Sequence, residues 1–211
     1  QAAVLPRASY KDLLVLKKGS SFADGSDHII ATSSIRRKAQ WLNRYPDDKL
    51  ENLRGNVNTR LRKVEESRWD GAIFAAAGLE RIGLRPETAI ELDWMLPAPA
   101  QGAILVVCRQ GDTYCLDACF NFHDIVTALC AHVERDFLRA LMGGCSTPIS
   151  ALATVENGML TFSGNILSTD GTQKKEISKT VAIDEAEGVG RNLARELLKN
   201  GGQQILDGFK K

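Results

Sequence analysis

Two kinds of residue in this chain are placed to do chemistry: a thiol in a glycine turn, and arginines set just beyond short apolar runs. Gly143-Gly144-Cys145-Ser146-Thr147-Pro148 follows a strongly amphipathic stretch. Glycines there end a helix by supplying left-handed backbone, and they leave little bulk around the sulfur. Taken alone, the same residues read more readily as a helix C-cap with a half-buried cysteine. The arginines come in two sets. Thr32-Ser33-Ser34 closes one apolar run and opens a helical pattern that carries Arg36 and Arg37. Unpaired backbone N–H groups and the helix dipole favour an anion at such a point, and guanidiniums hold carboxylates in two-pronged fashion. Arg54 and Asn56, followed by Thr59 and Arg60, repeat the device at the next run. Ala75-Ala76-Ala77-Gly78 offers backbone N–H groups and room for a flat ligand, or simply tight helix packing. Gln101-Gly102 lies between stretches of different character, as a hinge requires. Each set alone could be solvated surface. Together, on one edge of a sheet, they suit a ligand with many negative groups.

The elements that must position these residues alternate. Residues 28–31, 49–53 and 71–75 read as short strands, and residues 34–44, 58–66 and 78–82 as helices, with Pro46 and Gly83 as stops. Strand and helix in turn imply a parallel or mixed sheet with helices on its faces, whose ligands bind at the strand ends. Pro97 and Pro99 break the chain, and residues 103–107 read as a buried apolar strand. Beyond residue 112 the character changes. Residues 124–142 form an amphipathic helix, and three alternating strands follow near 149–155, 159–167 and 174–183. Asn157-Gly158 and Asp170-Gly171 mark the turns between them. Asp184 is expected to cap a last helix reaching Lys199.

Composition narrows the classes. The chain has 211 residues, 44% of them hydrophobic, and a net charge of +1, so neither disorder nor sequence-independent nucleic-acid binding is expected. No apolar run approaches the roughly 20 residues of a membrane span. Five cysteines, Cys108, Cys115, Cys119, Cys130 and Cys145, form an odd set without zinc spacing, which suits reduced thiols in the cytoplasm. His28, His123 and His132 show no metal-ligand spacing. Trp41, Trp69 and Trp94 read as core or edge aromatics.

Taken in order, Ala31-Thr32-Ser33-Ser34-Ile35-Arg36-Arg37, Leu53-Arg54-Gly55-Asn56-Val57-Asn58-Thr59-Arg60-Leu61, Ala75-Ala76-Ala77-Gly78-Leu79, Leu96-Pro97-Ala98-Pro99-Ala100-Gln101-Gly102-Ala103 and the Gly143-Gly144-Cys145 turn closely resemble porphobilinogen deaminase, from about residue 29 to the C-terminus. The resemblance implies a periplasmic-binding-protein-like α/β domain with a mixed sheet, then a small α+β domain with a three-stranded antiparallel sheet. It divides the chain into a linker at 1–8, a carboxylate-binding domain at 9–100, a crossing segment at 101–121 and a cofactor-bearing domain at 122–211. It also implies a transferase that deaminates porphobilinogen and joins four units into hydroxymethylbilane for haem biosynthesis, acting as a monomer with no nucleic-acid or membrane partner.

In the family a dipyrromethane cofactor is bound covalently through the cysteine that matches Cys145. Its carboxylates would be met by Thr32, Ser33, Ser34, Arg36, Arg37, Arg54, Asn56, Arg60, Ala75 and Gln101, and the four arginines are expected to serve binding rather than the fold. The family's catalytic aspartate matches nothing here and is expected upstream of Gln1, so that this chain alone should turn over poorly. Asp24-Gly25 reads as a surface turn. The chain departs from the family at Ala31 and at Pro99-Ala100, where glycine is usual at 31 and 100, and at Val107. A non-catalytic small-anion-binding module of periplasmic type shares the strand-end arginines, but has no use for Cys145.

Overall fold

In the computed structural model, residues 1–22, 27–141 and 147–209 are described. In chain order the elements are β1 (Ala3–Val4), β2 (Asp12–Leu16), β3 (Ile29–Ala31), α1 (Ile35–Arg44), β4 (Lys49–Glu51), α2 (Val57–Glu66), β5 (Gly71–Ala75), α3 (Ala76–Glu80), β6 (Ile90–Glu91), β7 (Leu105–Val106), α4 (Thr113–Phe120) and α5 (Ile125–Ala140). Then come β8 (Ile149–Glu156), β9 (Met159–Leu167), β10 (Lys174–Ala182), a 3-10 turn, α6 (Val189–Leu197), a π turn at Leu198–Gly202 and α7 (Gln203–Asp207).

The first domain is built on a five-stranded sheet in the order β4-β3-β5-β2-β6. β3 runs parallel to β4 and β5, whereas β2 runs antiparallel to β5 and β6. This makes the sheet mixed, and it brings the start of β2 to the edge where β3, β4 and β5 end. β2 has no polar alternation because both faces of the sheet are covered. Leu13 and Val15 pack on one side with Ala31, Leu53 and Phe74, while Leu14 packs on the other with Ile30, Trp41 and Ile73. α1 starts where the Ser34 side chain accepts a hydrogen bond from Arg37 N, and it stops at Tyr45, just ahead of Pro46.

In the second domain, β10, β9 and β8 form an antiparallel sheet in that order. α5 and α6 cover its inner face, where Phe137 and Phe162 meet with ring centroids 5.0 Å apart among Leu160, Ile166 and Leu193. The outer face lies against the first domain. Gln40 Nε2 of α1 donates to Ser150 Oγ of β8 at 3.1 Å, and Asn43 Nδ2 donates to Gly171 O at 2.8 Å. Gly171 has φ of +74°, and a Cβ there would lie 2.6 Å from Ala39 O, so only glycine lets the hairpin tip approach α1 this closely.

Four expectations need correction. Residues 103–107 are not a buried strand: only Leu105–Val106 pair, antiparallel to Ala3–Val4, and Leu105 and Val107 are 44% and 68% exposed. Residues 1–8 are accordingly more than a linker. Asp184 does not cap the last long helix. It lies in a 3-10 turn, and α6 starts instead after Gly188 at φ of +71°. Within the crossing segment, residues 113–120 form α4, which buries none of its side chains. The short helix expected at 78–82 begins earlier, at Ala76.

Candidate functional site

The parallel strands place three connections on one sheet edge. Thr32, Ser33 and Ser34 follow β3, Arg54 and Asn56 follow β4, and Ala75 ends β5 and caps α3. Ser33 Oγ donates to Leu53 O at 2.6 Å, tying the first connection to the second. Asn56 caps α2 by accepting from Thr59 N at 2.9 Å, and Thr32 Oγ1 accepts from Ser34 N at 3.3 Å. Arg60 uses Nε to reach Gly55 O at 2.7 Å, which leaves its two terminal nitrogens for other acceptors. Arg54 is exposed, and neither it nor Arg60 makes an ion pair among the described residues.

Arg36 and Arg37 are placed differently from what their sequence position suggests. Both are buried, and both point down onto Asp12 at the start of β2. Arg36 Nη2 donates to Asp12 Oδ2 and Arg37 Nη2 to Asp12 Oδ1, each at 2.7 Å. Gln101 Nε2 adds a third bond to Asp12 Oδ1 at 2.9 Å, while its Oε1 accepts from Arg36 at 3.1 Å. The remaining Nη1 groups go to carbonyls, Arg36 to Leu96 O and Arg37 to Ile73 O. The expectation that these two arginines serve binding and not the fold therefore needs correction: an internal carboxylate takes both. The reason is topological, since antiparallel β2 delivers Asp12 opposite Ala75, beneath the first turn of α1.

Burial alone would raise the Asp12 pKa, but the charges of Arg36 and Arg37 and their hydrogen bonds prevail and hold it below its ordinary value of 3.8. Arg36 shifts down, chiefly through burial and despite Asp12, yet a guanidinium stays charged over the working range. Two cations face one anion, so the floor of this edge keeps a net positive charge. It also keeps an unmet donor: Arg37 Nε is buried without a hydrogen-bond partner. Such a group is costly unless an acceptor arrives. With Arg54 and Arg60 nearby on the same edge, the donor set fits a ligand rich in carboxylates.

A second buried carboxylate joins the domains. Glu134 of α5 is fully buried and takes Arg7 in two-pronged fashion at 2.6 and 3.1 Å. It also accepts from Ala100 N at 2.5 Å and Ala153 N at 2.7 Å. Ala100 is thereby held at φ of +62°, a left-handed conformation that suits glycine, the residue usual there in the resembling family. Neither Asp12 nor Glu134 was singled out from sequence. The apolar run that follows Asp12 was the available signal for the first, and helix periodicity, which puts Glu134 on the inward stripe, for the second. Cys145 and the turn at Asp24-Gly25 lie outside the described residues. Among the described residues no group of His, Cys, Asp or Glu could hold a metal ion, and no helix is long and apolar enough to cross a membrane.

A mixed sheet that gathers guanidiniums and helix starts on one edge, backed by an α+β domain, defines an α/β protein with a cationic sheet edge. Residues 1–117 match the family model described as porphobilinogen deaminase, dipyromethane cofactor binding domain, and residues 128–199 match porphobilinogen deaminase, C-terminal domain. The chain belongs to the porphobilinogen deaminase family. It is 43% identical over 204 residues to a porphobilinogen deaminase of Syntrophotalea carbinolica, covering 95% of this chain and 65% of that protein. Against those of Thermus thermophilus and Yarrowia lipolytica it is 39% identical over 209 residues and 38% over 216, covering 97% of this chain each time and 69% and 64% of the relatives. The chain thus spans about two thirds of the length of the curated relatives it matches.

Proposed function

We propose that this chain supplies the carboxylate-binding and cofactor-bearing part of a cytoplasmic, monomeric transferase that deaminates porphobilinogen and joins four units into hydroxymethylbilane, in tetrapyrrole and haem biosynthesis. The observation that carries the reading is the sheet edge, which presents exposed Arg54 and half-buried Arg60 above the buried, unpartnered Arg37 Nε, in a segment matching a cofactor-binding family model. In this reading Arg54 and Arg60 take ligand carboxylates through charge-assisted bonds. Ser33, Ser34 and Asn56 line the approach with hydroxyl and amide groups, Thr32 fixes the turn, and Ala75 keeps the third connection low enough for a flat ring to pass. Arg36 and Arg37 contribute from below. Asp12 holds their side chains in place, Gln101 locks that carboxylate from the crossing segment, and the surplus positive charge attracts anionic groups without needing to move.

The dipyrromethane, held covalently by Cys145, supplies when bound the pyrrole terminus onto which units are joined, together with acetate and propionate carboxylates. Proton transfer in the reaction needs an acid other than Asp12, whose oxygens already accept three donors from Arg36, Arg37 and Gln101. In this reading residues 9–100 and 122–211 are the two working units and 101–121 the segment that crosses between them.

The test is peptide mapping of the chain purified from cells that make porphobilinogen. A dipyrromethane mass increment on the peptide holding Cys145, and on none holding Cys108, Cys115, Cys119 or Cys130, supports the assignment. An unmodified chain that binds pyrrole carboxylates reversibly would instead support the non-catalytic anion-binding module.

A further inference from the structure

The far end of α1, away from the sheet edge, holds a second constellation that the proposed activity does not use. Where α1 and the segment at Trp94 cross the outer face of the antiparallel sheet, two adjoining hollows of about 300 and 270 Å³ share Trp94 and Lys174 as walls. The seam is firmly built, since Gln40 bridges to Ser150 and Gly171 is seated against α1. Its charge is unbalanced. Arg44 stacks over Trp94, with its guanidinium 5.1 Å from the ring centroid, and makes no ion pair among the described residues. Lys174 pairs with Glu176 at 2.5 Å, its one ion pair among the described residues. Two cations against one carboxylate leave one positive charge beside an indole.

The smaller hollow is lined by Asn165. That residue is only 4% exposed, and its Oδ1 is buried with no hydrogen-bond partner. In the ladder it sits between Ser150, whose hydroxyl oxygen accepts from Gln40 Nε2, and Glu176. A buried acceptor without a donor is costly in a finished interface, and it marks a place for an N–H or O–H from outside. We propose that this seam binds a small heteroaromatic carboxylate with a ring N–H: its carboxylate lies between Arg44 and Lys174, its ring against Trp94, and its N–H on Asn165 Oδ1. The hollows have room for one ring of this kind and lie near the small end of known ligand pockets, about 300–1,000 Å³. Arg44 lies eight residues, about 12 Å of helix rise, beyond Arg36, and none of Ser33, Ser34, Arg36, Arg37, Arg54 and Arg60 lines either hollow, so the site is distinct from the proposed active site.

The experiment is a titration of the 211-residue chain with pyrrole-2-carboxylate, followed by the indole N–H resonances in 1H–15N NMR spectra and assigned with Trp94→Phe. The Trp94 resonance should shift saturably while that of Trp69 stays in place. Arg44→Gln and Lys174→Gln should each weaken binding by about tenfold or more, the worth of one charge-assisted bond. Lys174 is on the rim, so its variant folds even if the Arg44 variant does not. Furan-2-carboxylate, which has the same charge and shape but no N–H, should bind several-fold more weakly to the native chain and equally well to Asn165→Leu. No saturable shift of Trp94, undiminished binding by Lys174→Gln, or equal responses to furan-2-carboxylate and to sulfate would each overturn the proposal. None of these readouts depends on a dipyrromethane at Cys145 or on turnover, so the site can fail while the proposed function stands, and the reverse.

Discussion

Replacing Asp12 by Asn is the sharpest probe of the sheet edge, because it keeps the shape and removes the charge. Asp12 is fully buried and meets Arg36, Arg37 and Gln101 at 2.7, 2.7 and 2.9 Å. An amide offers one acceptor and one donor group. Its oxygen can serve one guanidinium, but its NH2 then faces the donors of the other. Breaking a buried ion pair from one side costs about 3–5 kcal/mol. In a chain of this size that lowers the melting temperature by roughly 6–20 °C, at about 2–4 °C per kcal/mol. The pH dependence gives a second readout. Since the folded-state pKa of Asp12 is depressed, its contribution is fully present above its ordinary value of 3.8 and is lost as pH falls through the lower folded value. Asp12→Asn should therefore flatten the acid limb of stability against pH. A second variant controls for shape: removing all three charges together, with Asp12→Leu, Arg36→Met and Arg37→Met, should recover much of the loss, because no ion is then buried alone. Thermal melts between pH 3 and 7 decide the matter. A single Asn variant within about 1 kcal/mol of the native chain, the size of an ordinary hydrogen bond, would refute the reasoning and return Arg36 and Arg37 to the class of free ligand-binding cations.

Arg54→Leu and Arg60→Leu should leave the melting temperature nearly unchanged and weaken binding of a pyrrole carboxylate by about 1.5–3 kcal/mol each, read by calorimetry. Ala100→Gly should stabilise the chain by about 0.5–1 kcal/mol in denaturant melts, since relief of left-handed strain outweighs the added freedom of the unfolded chain. The Cys130 thiol is pushed up to about 11, first by burial and then by Glu134, so at pH 8 it should resist iodoacetamide while Cys108 and Cys119 are alkylated, as mass spectrometry of digests can show.

Where local pattern and global fold agree, the sequence was legible. Asn157 and Gly158 adopt φ of +50° and +74°, the mirror-image turn that such a pair favours, and the strands on either side follow from it. The strand ends at Ser34, Asn56 and Ala75 were legible too, because helix caps and apolar runs are local signals. The rest was set by partners far along the chain. β2 is a continuous apolar run with no alternation, inserted antiparallel into a parallel set, and nothing in residues 12–16 announces that direction. β7 finds its partner at Ala3–Val4, about a hundred positions earlier, and α4 is a helix without a buried face. The internal partner of Arg36 and Arg37 is not legible for the same reason. Their position at a helix start points to an anion, and the anion turned out to be a side chain of the chain itself.

The junction at Glu134 bears on the order in which the chain folds. Its four donors come from the N-terminal segment, the end of the first domain at Ala100 and β8, so no one piece of the chain can satisfy it. Until the pieces meet, Glu134 and Arg7 are better off in water, and a half-docked arrangement would bury one charge without the other. Docking of the two domains is then close to all-or-none, and contacts spanning more than a hundred residues must form in the same step. Closing loops of that length adds an entropic cost before the junction's bonds repay it. Once the junction has closed, unfolding must expose both charges together before either regains its hydration, so separation of the domains is slow even where the equilibrium favours it.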